Sequence, residues 1–343
     1  MSIVTNGKEC FIIDRTLMDI TQRCLNRNGL LLFAANLKRV GVDFFEIDER
    51  TFDYVKDLTG IGPYIFRVDN QNQLKICSLS GIENIVVKEE MLELIKEEDI
   101  EKYYSFNIIL EIDINLRGKK ISDKIDLSKV YCVRFKGESN CIFKSYKQEK
   151  LNVNLNMYAS DKLFMATAVG IEAIQMGFNY VTTAFCGKDD TYGTTALEEI
   201  LIFVMVIMGG VVSGEISLLS QIAEQYESLT GIILQKNKSI IGKDIFKYES
   251  GVHASGIEKN PITYEPFKPE LVGLKRKLVL GKHSGKNSIC TKLIELHIDN
   301  NFSRDEITII LKMVKDKSTL NKMEISDRDF INICRGIERK YIV

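Results

Sequence analysis

The sequence predicts an α/β protein, a degenerate TIM-type (β/α)8 barrel followed by a mainly helical C-terminal extension of two small subdomains. Two observations carry this expectation. Eight short β-rich runs recur within the first 187 residues, several of them separated by segments of helical period. Alternating strands and helices favour a parallel sheet, and eight such units favour a closed barrel over an open one. After Ser213 the pattern changes to helical stretches around a glycine-rich segment. The composition, 45% hydrophobic and 27% charged with net charge −1 over 343 residues, excludes a disordered chain, a collagen-like repeat and a polybasic nucleic-acid arm.

Taken in order, the expected strands are 10–17 (CFIIDRTL), 42–48 (VDFFEID), 63–69 (PYIFRVD), 84–87 (NIVV), 106–114 (FNIILEIDI), 130–135 (VYCVRF), 151–157 (LNVNLNM) and 180–187 (YVTTAFCG). Each is rich in β-branched or aromatic residues. Helical period is clearest at 24–40, 91–103 and 164–176, whereas 49–62 is short and weakly periodic, so an uneven helical ring is expected. Beyond the barrel, helices are expected at 216–229, 288–297, 304–316 and 327–335. Ser303 with Glu306 three residues later forms a capping box that starts the third of these. The expected division is 1–212 for the barrel, 213–290 for a linker or lid subdomain, and 291–343 for a helical subdomain.

The uncharged run 200–214 is too short to span a bilayer and reads as a buried helix. Eight cysteines without a CxxC pair, and a start without a basic segment leading into an apolar one, read as reduced thiols in a cytoplasmic protein. Neither nucleic acid nor membrane is expected as a partner. Residues 235–290 hold eleven Lys/Arg against five Asp/Glu. That excess fits either a solvated lysine-rich surface or a positive rim for anionic substrates. Histidine is scarce: only His253, His283 and His297 exist, so histidine chemistry is confined to the last quarter of the chain.

Four motifs cluster there: Tyr248-Glu249-Ser250-Gly251-Val252-His253-Ala254-Ser255-Gly256, then Tyr264-Glu265-Pro266-Phe267, Pro269-Glu270-Leu271-Val272-Gly273, and Leu280-Gly281-Lys282-His283-Ser284-Gly285. Their order and spacing resemble the region after the barrel in the homocitrate synthase and 2-isopropylmalate synthase family. The likeness extends to the first strand, where Asp14-Arg15-Thr16-Leu17-Met18-Asp19 is similar to the family's D-[ST]-T-L-R-[DE] motif. It extends also to Ala166-Thr167-Ala168, Gly177 and Leu197-Glu198-Glu199.

The resemblance implies condensation of acetyl-CoA with a 2-oxo acid chelated by a divalent metal. It further implies that a histidine and a tyrosine beyond the barrel reach the neighbouring subunit's site. Carried over residue by residue, it places the catalytic pair on His253 and Tyr264. In the barrel, the metal-binding acid falls on Asp19, but the enolate-stabilising arginine falls on Met18. The family's two histidine ligands fall on Tyr158 and Ser160, and its asparagine on Thr194. None of these replacements suits the chemistry.

The resemblance therefore implies a chain that binds no cofactor itself, with the divalent metal on a partner subunit. Such a chain is similar to the omega subunits of split, nitrogen-fixation-type homocitrate synthases. The partner would be an alpha-type subunit with an intact metal site, and the substrates acetyl-CoA and 2-oxoglutarate. Two alternatives stay open: a non-catalytic regulator or scaffold of a synthase, and a stand-alone condensing enzyme whose altered metal site uses Asp19, Asp189 and Asp190. His283 reads equally as a helix-start packing residue or an anion contact, and His297 as a surface residue.

Overall fold

A computed structural model describes residues 3–5, 7–23, 26–56, 61–94, 105–113, 127–137, 152–189, 192–249, 256, 260, 263–298 and 301–338. The chain divides into two compact units, Met1–Leu234 and Gln235–Val343.

The first unit begins with β1 (Ile3–Thr5), which pairs antiparallel with β2 (Lys8–Asp14). The chain then alternates through α1 (Thr16–Arg23), α2 (Arg27–Val40), β3 (Phe44–Ile47), α3 (Glu49–Val55), β4 (Tyr64–Val68), α4 (Gln71–Leu79), β5 (Asn84–Lys88) and α5 (Glu89–Leu94). It continues with β6 (Asn107–Asp113), β7 (Cys132–Gly137), β8 (Asn154–Ala159), α6 (Ala166–Met176) and β9 (Tyr180–Ala184). Strands β2 to β9 pair in sequence order, all parallel, and β9 pairs back on β2. That closure makes the eight-stranded barrel, and every expected strand contributes to it.

Boundaries shift where local chemistry intervenes. The run expected at 10–17 stops at Asp14, because the Asp14 carboxylate accepts the Thr16 N–H at 2.9 Å and turns the chain into α1. Asn26 accepts the Gly29 N–H and starts α2 inside the expected 24–40. Asp48 caps α3 by accepting from Thr51 at 2.7 Å, which gives the weakly periodic 49–62 a short helix. The expected helix 91–103 is described only as α5, its remainder lying outside the described residues.

After β10 (Thr195–Ala196), the apolar run forms α7 (Leu197–Val206), buried along most of its length, and then β11 (Val211–Val212) beside β1. The following helix, α8 (Leu219–Thr230), packs on α2 within the first unit. The Asn36 amide donates to Gln225, and Arg39 forms a two-pronged contact with Glu215. No described helix is long and apolar enough to cross a membrane.

The second unit pairs β12 (Lys247–Tyr248) with β13 (Lys277–Leu278) in parallel. It then runs through α9 (Lys286–Glu295), α10 (Arg304–Asn321) and α11 (Asp327–Glu338). Leu280, Ile289, Leu293, Ile310, Val314 and Phe330 form its core. The capping box at Ser303 is present in both directions, Ser303 accepting from the Glu306 N–H and Glu306 from the Ser303 N–H.

Candidate functional site

Side chains two residues apart on a strand point to the same face. The barrel interior is therefore layered by the sequence itself. Phe11, Ile13, Phe44, Ile65, Val86, Ile109, Cys132 and Tyr180 form an apolar floor. One step further along the strands, the same register places Arg15 after Ile13, Glu46 after Phe44, Arg67 after Ile65, Glu111 after Ile109 and Arg134 after Cys132. The floor thus carries a ring of buried charge.

Every member of the ring meets an opposite charge. Glu46 contacts Arg15 Nε and Arg67 Nε through Oε1, at 3.2 and 3.1 Å, and Arg134 Nη1 through Oε2 at 2.6 Å. Arg67 donates two bonds to Glu111, at 2.5 and 3.2 Å, and Arg134 approaches the same acid at 3.4 Å. Burial pushes the Glu46 carboxyl up, but Arg134, Arg15 and Arg67 outweigh it and hold it well below the usual carboxylate range. Glu111 is balanced the same way, burial against Arg67 and Arg134, and ends at about 2. These acids were missed in the sequence. The signal available was a charge set between apolar residues in each strand core, as in FFEI, IFRV, LEI and VRF. Arg134 Nε and Nη2 and the Asn156 amide nitrogen find no hydrogen-bond partner among the described residues. All are donors, so they call for an acceptor such as water or a carboxylate.

Above the ring lies Tyr158, at the position where the resemblance expects a metal-binding histidine. Its hydroxyl donates to Asp189 Oδ2 at 2.9 Å. Three cations face its ring: Arg15 at 4.5 Å, Lys136 at 5.1 Å and Arg134 at 5.7 Å from the centroid. Thr194 is buried and donates its hydroxyl to the Ala159 carbonyl at 2.7 Å. Ser160 starts the turn Asp161–Leu163 and donates its N–H to Gly137. Asp19 is not gathered with them. It lies on α1, bonded to Arg23 at 3.2 and 3.3 Å, with its charge felt by Tyr226 of α8. Met18 is buried beside it. Asp189 accepts the Gly193 N–H, while Asp190 lies outside the described residues.

These residues do not fit a divalent ion. Among the described residues no three His, Cys, Asp or Glu side chains converge on one point. A divalent ion roughly 5 Å from a single guanidinium is repelled by about 7 kcal/mol at an effective dielectric constant of about 20, and Tyr158 is faced by two guanidiniums and an ammonium.

Asp14, next to Arg15 but on the opposite face of β2, is fully buried against Thr16, Thr183 and Glu198. Burial pushes its carboxyl up to about 7, and the Glu198 charge adds to that. Between about pH 4 and 7 the folded chain thus keeps a proton that the unfolded chain has released, so stability falls as pH rises through that window and levels off above it. Asp14→Asn is expected to remove this slope and raise stability at pH 8 by about 2–4 kcal/mol. Urea unfolding at pH 5 and pH 8 measures it. An unchanged slope contradicts the assignment.

In the second unit, β12 ends at Tyr248, and Val279 donates its N–H to the Tyr248 carbonyl. The next residue, Glu249, reaches the Gly281–Gly285 loop and accepts the His283 N–H at 2.6 Å. A Cβ on Gly281 would stand 2.5 Å from Glu249 Oε1 and 2.8 Å from its carboxyl carbon, so a larger residue there would have to displace that carboxylate. His283 therefore belongs to a loop tied down before α9, whose N-cap is Gly285. His297 is exposed just past the end of that helix. Tyr264 is 43% exposed. Its ring packs where a Cβ on Gly256 would be, with Cζ and the hydroxyl 2.9 and 3.0 Å from that point. His253 lies outside the described residues.

Comparison with known proteins bears on both units. A family model described as homocitrate synthase post-HMGL domain-like matches residues 240–322. The homocitrate synthase omega subunit of Clostridium pasteurianum is 33% identical over 99% of this chain and 99% of its own length. The 2-isopropylmalate synthase of Methanocaldococcus jannaschii is also 33% identical, but over 56% of this chain and 38% of that enzyme. In structure, the HMG-CoA lyase of Bacillus subtilis superposes with a TM-score of 0.53 at 15% identity, covering 68% of this chain and 97% of that one. That last likeness shows the barrel fold alone.

Proposed function

The chain belongs to the homocitrate synthase family, and from that premise we propose that it is the arm-bearing subunit of a two-polypeptide homocitrate synthase. The reaction is a Claisen-type condensation of acetyl-CoA with 2-oxoglutarate, giving homocitrate and CoA. Homocitrate of this kind serves the iron–molybdenum cofactor of nitrogenase. The partner is an alpha-type subunit in the same cytoplasm, and the divalent metal and the arginine that stabilises the enolate reside on its barrel. The single observation that carries this reading is an asymmetry. The barrel mouth has its Tyr158 and Thr194 hydroxyls already bonded within the fold and its charges paired, whereas the motifs after the barrel are complete and present Tyr264 to solvent.

In this reading His253 accepts a proton from the acetyl methyl group, with the Tyr264 hydroxyl assisting. The resulting enolate attacks the ketone carbon held on the partner, and hydrolysis of the thioester releases CoA. Glu249 and Gly256 lie on either side of the segment that carries His253, and each packs on a neighbouring element. Gly256→Ala is expected to push the Tyr264 ring aside and lower CoA release by the assembled enzyme by up to about 100-fold, the scale of a displacement near 1 Å. A variant with unaltered turnover would show that the packing of Tyr264 on Gly256 is immaterial.

The decisive experiment mixes the purified chain with an alpha-type subunit and follows CoA release for wild type and His253→Ala. Unchanged mixed activity in the variant overturns the in-trans arm and favours a regulatory or scaffold role. Normal turnover by the isolated chain with added metal overturns the division of labour.

A further inference from the structure

We propose that Arg15 is a built-in cation of the barrel mouth, its guanidinium taking the electrostatic place of a divalent metal and keeping this chain's barrel ion-free. The inference rests on the barrel half of the reading above and does not depend on the arm.

Arg15 stands at the end of β2 with a side chain only 5% exposed. Its side chain contacts three further parts of the barrel, while its own N–H donates to the Thr183 carbonyl of β9. Its Nε lies 3.2 Å from Glu46 on β3. Its Nη1 lies 3.8 Å from Asp189 in the loop after β9. Its guanidinium carbon sits 4.5 Å above the Tyr158 ring on β8. One positive centre bridging two acids from separate elements does what a structural ion does in other folds. Tyr158 and Arg15 also meet on the same Asp189 oxygen, since the phenol donates to Oδ2.

The consequences reach the loops. The other Asp189 oxygen accepts the Gly193 N–H at 2.8 Å, and the Gly193 carbonyl accepts from Asp161 at 2.9 Å. Thr194 donates its N–H to Gly187 at 2.9 Å. Arg15 thereby helps to order the chain at the C-terminal ends of both β8 and β9. A guanidinium is suited to this task because it stays charged at any ordinary pH and its planar fork can serve two acids and an aromatic face together. It also arrives with the chain, so no uptake step is needed.

The test uses the purified full-length chain. Mn2+ binding is followed by the paramagnetic signal of the free ion, and thermal unfolding is recorded with and without EDTA. Wild type is expected to show no stoichiometric Mn2+ and no shift with EDTA. Arg15→Ser leaves Glu46 and Asp189 without their shared cation, so its midpoint should fall and its Mn2+ affinity rise by about tenfold or more. Arg15→Lys keeps one positive charge and should recover most of the midpoint without gaining Mn2+.

The proposal is overturned by one tightly held ion per wild-type chain. It is equally overturned if the serine variant is as stable as wild type or gains no Mn2+ affinity, or if the lysine variant loses as much stability as the serine variant. Should Arg15→Ser fail to fold, the wild-type titration and the lysine variant still decide. Activity separates this from the arm: His253-dependent CoA release in the mixture, together with an ion bound to wild type, defeats only the claim about Arg15.

Discussion

Replacing His253 by alanine is expected to lower CoA release by the assembled two-subunit enzyme by about 10²–10⁴-fold, the usual worth of a positioned proton-transfer group. As the proton acceptor proposed above, His253 should show the loss on kcat rather than on KM. Histidine scarcity sharpens the prediction. Only two other imidazoles exist in the chain. His283 is held in a loop anchored by Glu249, and His297 is exposed beyond α9. Neither is expected to rescue the variant, and His297→Ala should be silent in the same assay. A loss that appears in KM alone would recast His253 as a binding residue.

Glu46→Gln is expected to destabilise the barrel by about 3–5 kcal/mol, the cost of leaving buried charges uncompensated. Glu46 is fully buried and meets Arg15, Arg67 and Arg134 at 2.6–3.2 Å. Glutamine is nearly isosteric, so lost charge rather than lost volume causes the effect. Acid should mimic the substitution in part. The Glu111 carboxyl, held at about 2, adds stability that is fully present above the ordinary glutamate value and is lost as pH falls from about 4.5 towards 2. Urea unfolding monitored at pH 7 and at pH 3 measures both effects. A cost below about 1 kcal/mol would mean that the ring is solvated and its pairs resemble surface ones.

Much of the fold was legible because its signals are local. Runs such as NIVV and VYCVRF declare strands by their residue types, and the Ser303–Glu306 box declares the start of α10. The ends of elements were less legible, since they depend on single side chains such as Asp14 turning back on Thr16. The packing of α8 on α2 was also hidden, because it joins segments far apart in sequence. At the site, the residue types at Tyr158, Ser160 and Thr194 are plain in the sequence, but the side chains that surround them are not. Glu46, Arg67, Glu111 and Arg134 are scattered over four strands, and only closure of the barrel brings them together.

The apolar floor beneath those charges can report on the integrity of the barrel. Phe11, Ile13, Phe44 and Tyr180 pack into one layer there. Cys132, walled into the floor with a thiol that burial pushes far up, should ignore alkylating reagents for as long as the barrel stays folded, and so report its opening.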